Sequence, residues 1–209
     1  MFNLYRKFKR PIDKVLQILI INTLILLTCL PFITYGASQS ASFYILTKND
    51  SVENSTVDLY INRVKLYLKK SIQITLIQII FIYLLLVYWR YQFVVYKNIN
   101  IFMVGGFIVT FTGVGFFQYI YYFIGNEIGT FKEQIKTSIF LTLLYPINTL
   151  LLIIIDAVTL IGIFLNPYLA SLSIYLLIFG SYGLSIYIRT ILISKIIEKI
   201  NIKKKKLLV

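Results

Sequence analysis

Two groups of residues could do chemistry in this 209-residue chain. Asp156 is the one carboxylate inside a long apolar run, eighteen residues after Ser138, and Arg90 lies nineteen residues after Ser71 in another such run. A lone charge at membrane depth costs ~2.5–3.5 kcal/mol on insertion scales, so each calls for a partner. The matched spacing predicts that Arg90 and Asp156 approach each other across two equivalent helices. Three readings of that pair stand: an ion or substrate gate, a structural ion pair, or an Arg90 that merely snorkels outward. The second group is Pro31, Thr34, Gly36 and Ser38. Pro31 lacks a backbone donor and breaks the helix before it, so residues 32–37 are expected to run extended before Ser38 or Ser40 caps a short helix. Non-helical backbone at membrane depth is tolerated only where protein or water covers it. The stretch Pro31–Ser38 is therefore expected to be enclosed, which makes it a candidate site. Asn22, Gln73, Gln78, Gln118 and Asn148 also carry amides into apolar runs, where interhelical hydrogen bonds are their expected work.

The inventory excludes much else. There is no His and a single Cys (Cys29), against 21 Lys and Arg and 8 Asp and Glu. Zinc and haem sites rest on His or clustered Cys, and His-dependent nucleophilic catalysis is impossible. No phosphate-cradling glycine motif occurs. The expectation is thus no enzyme activity, no cofactor and no metal. The net charge of +13 invites comparison with nucleic-acid-binding proteins. The basic residues, however, sit at the ends of apolar runs, Lys203–Lys206 most densely, where anionic lipid attracts them. Lipid, not nucleic acid, is the expected partner.

Positioning elements follow from 58% apolar and 14% charged residues. Apolar stretches run at about 15–36, 38–48, 71–96, 101–124, 138–164 and 168–191. Five are long enough for the ~20 residues that a spanning helix needs, and the second is too short. The first imitates a cleaved signal peptide, but it exceeds the usual ~7–15-residue apolar core and is expected to be retained. If the chain goes in over the first stretch and returns over the second, nineteen of the 21 basic residues fall on one side, leaving Arg90 and Lys97 on the other. The positive-inside bias selects this arrangement, with both termini cytosolic.

Residues 60–76 and 127–143 align without gaps at an offset of 67, with Ile61, Lys65, Lys69, Ser71, Ile72, Thr75 and Leu76 recurring in the second copy. Gly113 meets Gly180 at the same offset. Each copy begins with an apolar stripe (Tyr60, Val64, Tyr67, Leu68; Ile128, Phe131, Ile135) flanked by lysines, as in a helix lying along the interface. Each is expected to turn into a span at Ser71 or Ser138. Two independent elbow helices made alike by lysine placement are the other reading of this similarity. The expected architecture is an all-α polytopic transmembrane helical bundle forming a single membrane domain over 1–209. A basic cytosolic N-terminus (1–14) leads to a broken helical hairpin (15–48) made of one long span and a short helix. Two parallel repeats (57–125 and 126–193) follow, each an interfacial helix plus a transmembrane hairpin, and a basic tail (194–209) closes the chain. Pro146 is expected to kink the fifth run, and Asn166-Pro167-Tyr168 to turn the last hairpin.

The stretch Leu30-Pro31-Phe32-Ile33-Thr34-Tyr35-Gly36-Ala37-Ser38, followed by Ala41, Phe43 and Tyr44, resembles the signature of the YesL-like family, small bacterial membrane proteins of unknown molecular function. Tyr5-Arg6-Lys7-Phe8 and the basic elbows extend the resemblance, while Ser40 and Ser42 depart from it. The resemblance implies the bacterial cytoplasmic membrane and, by association, an accessory role beside oligosaccharide ABC importers, with those transporter subunits or a second copy of the chain as partners. It supplies no catalytic or binding residues. Thr34 and Gly36 match family positions, and a break accounts for both: Thr34 can bond a freed carbonyl, and Gly36 admits backbone angles denied to other residues. A stand-alone small-solute transporter or channel, with its site at the broken hairpin, is the alternative.

Overall fold

The computed structural model describes residues 2–29, 31–48, 56–95 and 101–206, with side chains over 11–29, 31–48, 56–94, 101–158, 166 and 168–200. Leu30, Lys97 and the side chains of Tyr5–Phe8 and Lys203–Lys206 lie outside the described residues. Among those described, every regular element is helical: α1 Phe2–Thr28, a 3-10 turn Phe32–Thr34, α2 Tyr35–Thr47, α3 Thr56–Val95, α4 Ile101–Gly125, α5 Phe131–Leu144, α6 Pro146–Leu165, α7 Pro167–Phe179 and α8 Ser181–Lys206. By length and composition three helices could cross a membrane, Pro11–Thr28, Thr56–Val94 and Ile101–Gly125, or up to five if each of two bent helix pairs is one span.

The N-terminal hairpin breaks at Pro31, whose backbone is extended (φ −80°, ψ 108°). The expected extended run does not follow. Thr34 Oγ1 donates to the Thr28 carbonyl at the end of α1 and to the Pro31 carbonyl (2.7 Å), which also accepts from Thr34 N (2.9 Å). A 3-10 turn therefore forms, and α2 begins at Tyr35 instead of capping at Ser38 or Ser40. Ser38 instead lies inside α2, bonding Thr28 Oγ1 (2.8 Å) and the Thr34 carbonyl (3.0 Å). From Gly36 to Leu46 every residue of α2 is buried, so this helix is the centre of the bundle, against α1, α3, α4 and α8. The enclosure expected for Pro31–Ser38 holds only from Gly36 onward, since Pro31, Phe32 and Ile33 are exposed. Gly36 is required for closeness and not for unusual angles: a Cβ there would strike Thr75 and Tyr121.

The elbow expected at Ser71 is absent, because α3 is one continuous helix of 40 residues, ~60 Å long. Its Tyr60 and Tyr67 are buried in the core, and Tyr67 Oη donates to the Gly125 carbonyl (2.8 Å). The apolar stripe thus faces protein. Gly106 and Gly113 of α4 admit the rings of Tyr88 and Phe81 from α3, while Gly115 meets the methyls of Thr142 and Thr149.

In the second unit the expected elbow at Ser138 is also absent, and the chain bends by 100° at Tyr145, between α5 and α6. Pro146 has no N–H to give, so it suits the first position of α6 and cannot continue α5. Thr149 Oγ1 donates to the Thr142 carbonyl (3.3 Å), which Pro146 leaves without a backbone donor, and to the Tyr145 carbonyl (3.0 Å), which also accepts from Thr149 N (2.9 Å). A second bend of 65° separates α7 from α8 at Gly180, whose φ of 123° disfavours any side chain. Asn22 of α1 spans this break. Its Nδ2 donates to the Leu177 and Ile178 carbonyls (2.9 and 3.1 Å), and its Oδ1 accepts from Gly183 N (2.9 Å). Asn166 caps α7 by accepting from the N–H groups of Tyr168 and Leu169.

Candidate functional site

Four helices deliver polar side chains to one place. Tyr35, Gln39 and Phe43 recur every fourth residue on one face of α2, while Tyr182, Ser185 and Arg189 share a face of α8. Gln118 comes from α4 and Asp156 from α6. Arg189 Nη1 meets Asp156 Oδ2 at 2.8 Å and Gln118 Oε1 at 2.6 Å, and its Nη2 donates to Gln39 Oε1 at 3.1 Å. Gln118 Nε2 and Ser185 Oγ also donate to Asp156 (2.6 and 3.1 Å). Gln39 Nε2 in turn donates to Tyr35 Oη (3.0 Å) and Tyr182 Oη, and Tyr182 Oη donates to Tyr35 Oη (3.1 Å). The guanidinium lies 5.4 Å from the Phe43 ring centre. Its side chain is 3% exposed and that of Asp156 20%. In such a medium a single charge is intolerable and a hydrogen-bonded pair is not.

This corrects the expected Arg90–Asp156 pair. The equal depths assumed two straight helices, but the bend at Tyr145 turns α6 and brings Asp156 to Gln118 and Arg189. Arg90 stays exposed at the other end of α3, beside an aromatic cluster of Tyr88, Trp89, Phe93 and Phe107. Arg189, counted from the sequence among the cytosolic charges, is buried. Its signal was readable: Ile186, Ile188, Ile191 and Ile193 surround it, so it is as intramembrane a residue by sequence as Asp156. Gln39 carries no such signal, because it is uncharged and sits between two serines at the start of the short 38–48 stretch.

Next to the cluster lies a cavity of about 460 Å³ between the hairpin tip, α3, α4 and α6. Thr75, Gln78, Gln118, Asp156 and Tyr35 supply its polar lining, and Phe32, Ile79, Ile82, Phe117 and Ile153 are among its apolar walls. Gln78 Oε1 accepts from Tyr121 Oη (2.5 Å), and Thr75 Oγ1 accepts from Gly36 N (3.2 Å). Of the four candidates at the break, only Gly36 reaches the cavity side of the bundle, through Thr75. Thr34 and Ser38 hold the turn together, and Pro31 starts it. Of the amides in the apolar runs, Asn22, Gln78 and Gln118 bond across helices, and Gln73 is exposed on α3. Among the described residues no three His, Cys, Asp or Glu side chains converge as a metal site would require. An apolar pocket of this size, with a few convergent polar groups, has the form of a small-molecule site.

No family model, curated protein or solved structure matches this chain.

Proposed function

We propose that the chain is a multi-pass protein of the bacterial cytoplasmic membrane, with both termini cytosolic, that acts by binding a small molecule in the cavity at its hairpin tip and not by catalysis. The observation that carries this is where the tip stops. On α3 the exposed Lys65, Lys69 and Lys70 and the exposed Arg90 are separated by about 20 residues, or ~30 Å, one hydrocarbon thickness. The tip meets α3 at Thr75–Ile82, roughly midway between those ends. The N-terminal hairpin is then re-entrant: it enters from the lysine side, turns near the midplane and returns. Its irregular turn lies at depth beside a cavity, the setting in which such backbone is tolerated. The 57–125 and 126–193 units are two parallel copies of one helical hairpin, the second bent at Tyr145 and Gly180. This favours the solute-binding alternative over a purely accessory role.

The accessory role that the YesL-like resemblance implies, beside an oligosaccharide importer, draws on a separate feature. An apolar groove of about 680 Å³ runs along the outer ends of α3 and α4 past Gly105 and Gly106, shaped for a helix of another subunit.

The architecture is tested with single cysteines in a Cys29→Ser background, labelled by a membrane-impermeant maleimide. Arg90→Cys is labelled in intact cells, Lys70→Cys only after permeabilisation, and Phe32→Cys resists labelling from both sides. Outside labelling of Phe32→Cys would show that the hairpin crosses and would overturn the re-entrant reading. Purification in mild detergent with mass spectrometry decides the role. A chain carrying a small molecule supports binding, and stoichiometric transporter subunits support the accessory role.

A further inference from the structure

The lining of the cavity restricts what it can hold, and from that we infer its ligand class: an uncharged amphiphile, with a hydrocarbon body and a carbonyl- or hydroxyl-bearing end. This rests on the binding reading above and names its ligand. Three observations combine. The walls are apolar over most of their area, and Ile79 and Ile82 are exposed on the outer surface of α3 as well as lining the cavity. An aliphatic chain dissolved in the bilayer can therefore enter from the side without meeting water. The polar groups gather on the bundle side, where Gln78 and Tyr35 retain donor capacity. Gln78 uses its Oε1 to accept from Tyr121, which leaves its amide nitrogen to donate. Tyr35 Oη accepts from both Gln39 and Tyr182, which leaves its own proton. Two donors call for an acceptor oxygen.

Charge decides the rest. Asp156 and Arg189 neutralise each other at 2.8 Å. An ammonium head group would have to compete with Arg189 for a carboxylate already held by Gln118 and Ser185. A carboxylate or phosphate would come up against Asp156, which lines the cavity, while Arg189 stands behind it and is almost wholly buried. Either ion would also bear the cost of desolvation at depth without a free counter-charge. A neutral head avoids both costs. A sugar fits no better, since most of its hydroxyls would face Ile, Phe and Val.

The test uses the full-length protein in neutral phosphatidylcholine nanodiscs and a diazirine-bearing monoacylglycerol as the probe. Labelling is expected to be saturable, to map to peptides of α3 and α6, and to be displaced by unlabelled monoacylglycerol at least about tenfold better than by the matching fatty-acid anion, alkylamine or alkane. Gln78→Leu should weaken binding by about 2- to 10-fold, the range of one neutral hydrogen bond. Ala157→Trp fills the cavity and should abolish labelling, while Ile147→Trp, on an outward-facing and 74% exposed position, leaves it unchanged. Ile153→Trp replaces Ala157→Trp if the latter no longer unfolds cooperatively on heating. Labelling that persists in both filled variants, or that never saturates, overturns the binding site itself. Labelling lost in the filled variants but displaced equally well by fatty acid or amine keeps the site and overturns the ligand class.

Discussion

The buried ion pair makes the sharpest energetic prediction. Replacing Arg189 with Met removes the donor that faces Asp156 at 2.8 Å, along with the donors to Gln118 and Gln39. The carboxylate keeps Gln118 and Ser185 but loses its counter-charge in a site that is four-fifths shut to solvent. Breaking a buried pair from one side costs about 3–5 kcal/mol. Asp156→Asn should cost a similar amount, because it leaves the guanidinium, 3% exposed, with only neutral acceptors. The double variant buries no unpaired charge and should be less damaged than the two singles added together. Equilibrium unfolding in mixed detergent–SDS micelles, followed by circular dichroism, gives the coupling energy. An ion pair in a poorly solvated site should couple by more than about 1.5 kcal/mol. Ordinary interhelical hydrogen bonds in membranes average ~0.6 kcal/mol. A coupling at or below that value would refute the reasoning, because Arg189 would then be one more polar contact and not the counter-ion of Asp156. The Arg90→Ala/Asp156→Asn pair serves as the control and should be additive within ~0.5 kcal/mol.

Three further outcomes follow from contacts elsewhere. Asn22→Leu strands two carbonyls and one N–H at the Gly180 break, and at ~1 kcal/mol for each lost bond it should cost about 2–4 kcal/mol in the same unfolding assay. Gly125→Ala sets a methyl against the Ser40 backbone carbonyl, which no side-chain rotation relieves, so a loss of about 1–3 kcal/mol is expected by thermal unfolding. Glu127→Gln removes a partly exposed ion pair with Arg63 (2.8 Å) and should cost under ~1 kcal/mol, less still in high salt.

The sequence made legible what local chemistry decides. Apolar run lengths located the helices, Pro31 and Pro146 located two breaks, and Asn22 was recognisable as an amide that needed partners. It misled where an inference depended on geometry carried over distance. Ser71 and Ser138 looked like elbows because lysines end there and apolar residues begin, yet neither residue interrupts backbone hydrogen bonding, so the helix continues through both. Counting residues from Ser71 and Ser138 gives equal depths only along straight helices. A 100° bend at Tyr145 invalidates that count for every residue after it, which is why Asp156 was assigned to Arg90. Gly36 was assigned an angular role, whereas its need for contact depends on Thr75 and Tyr121, residues remote in sequence.

Similar sequence patterns need not give similar shapes, as residues 57–125 and 126–193 show. Gly113 and Gly180 meet at the sequence offset of 67, yet α4 runs unbroken through Gly113 with the Phe81 ring laid against it, while the chain bends by 65° at Gly180. A glycine permits a break but does not cause one, since each break strands carbonyls and N–H groups that lipid cannot satisfy. The difference lies in what is at hand: a phenyl ring packs on Gly113, whereas the Asn22 amide reaches Leu177, Ile178 and Gly183 on either side of Gly180, with one acceptor and two donors in use. The break at Tyr145 follows the same rule, with Pro146 at an offset of 67 from Ile79 and with Thr149 Oγ1 bonding the stranded Thr142 carbonyl. The α5–α6 and α7–α8 pairs are thus broken where α3 and α4 are continuous, and each break has a side chain that satisfies it. The bend carries Asp156 across α4 to Arg189, and without it the cavity would lose the α6 wall that Ile153, Asp156 and Ala157 provide. The site therefore depends on the two breaks that α5–α8 contain and that α3 and α4 lack.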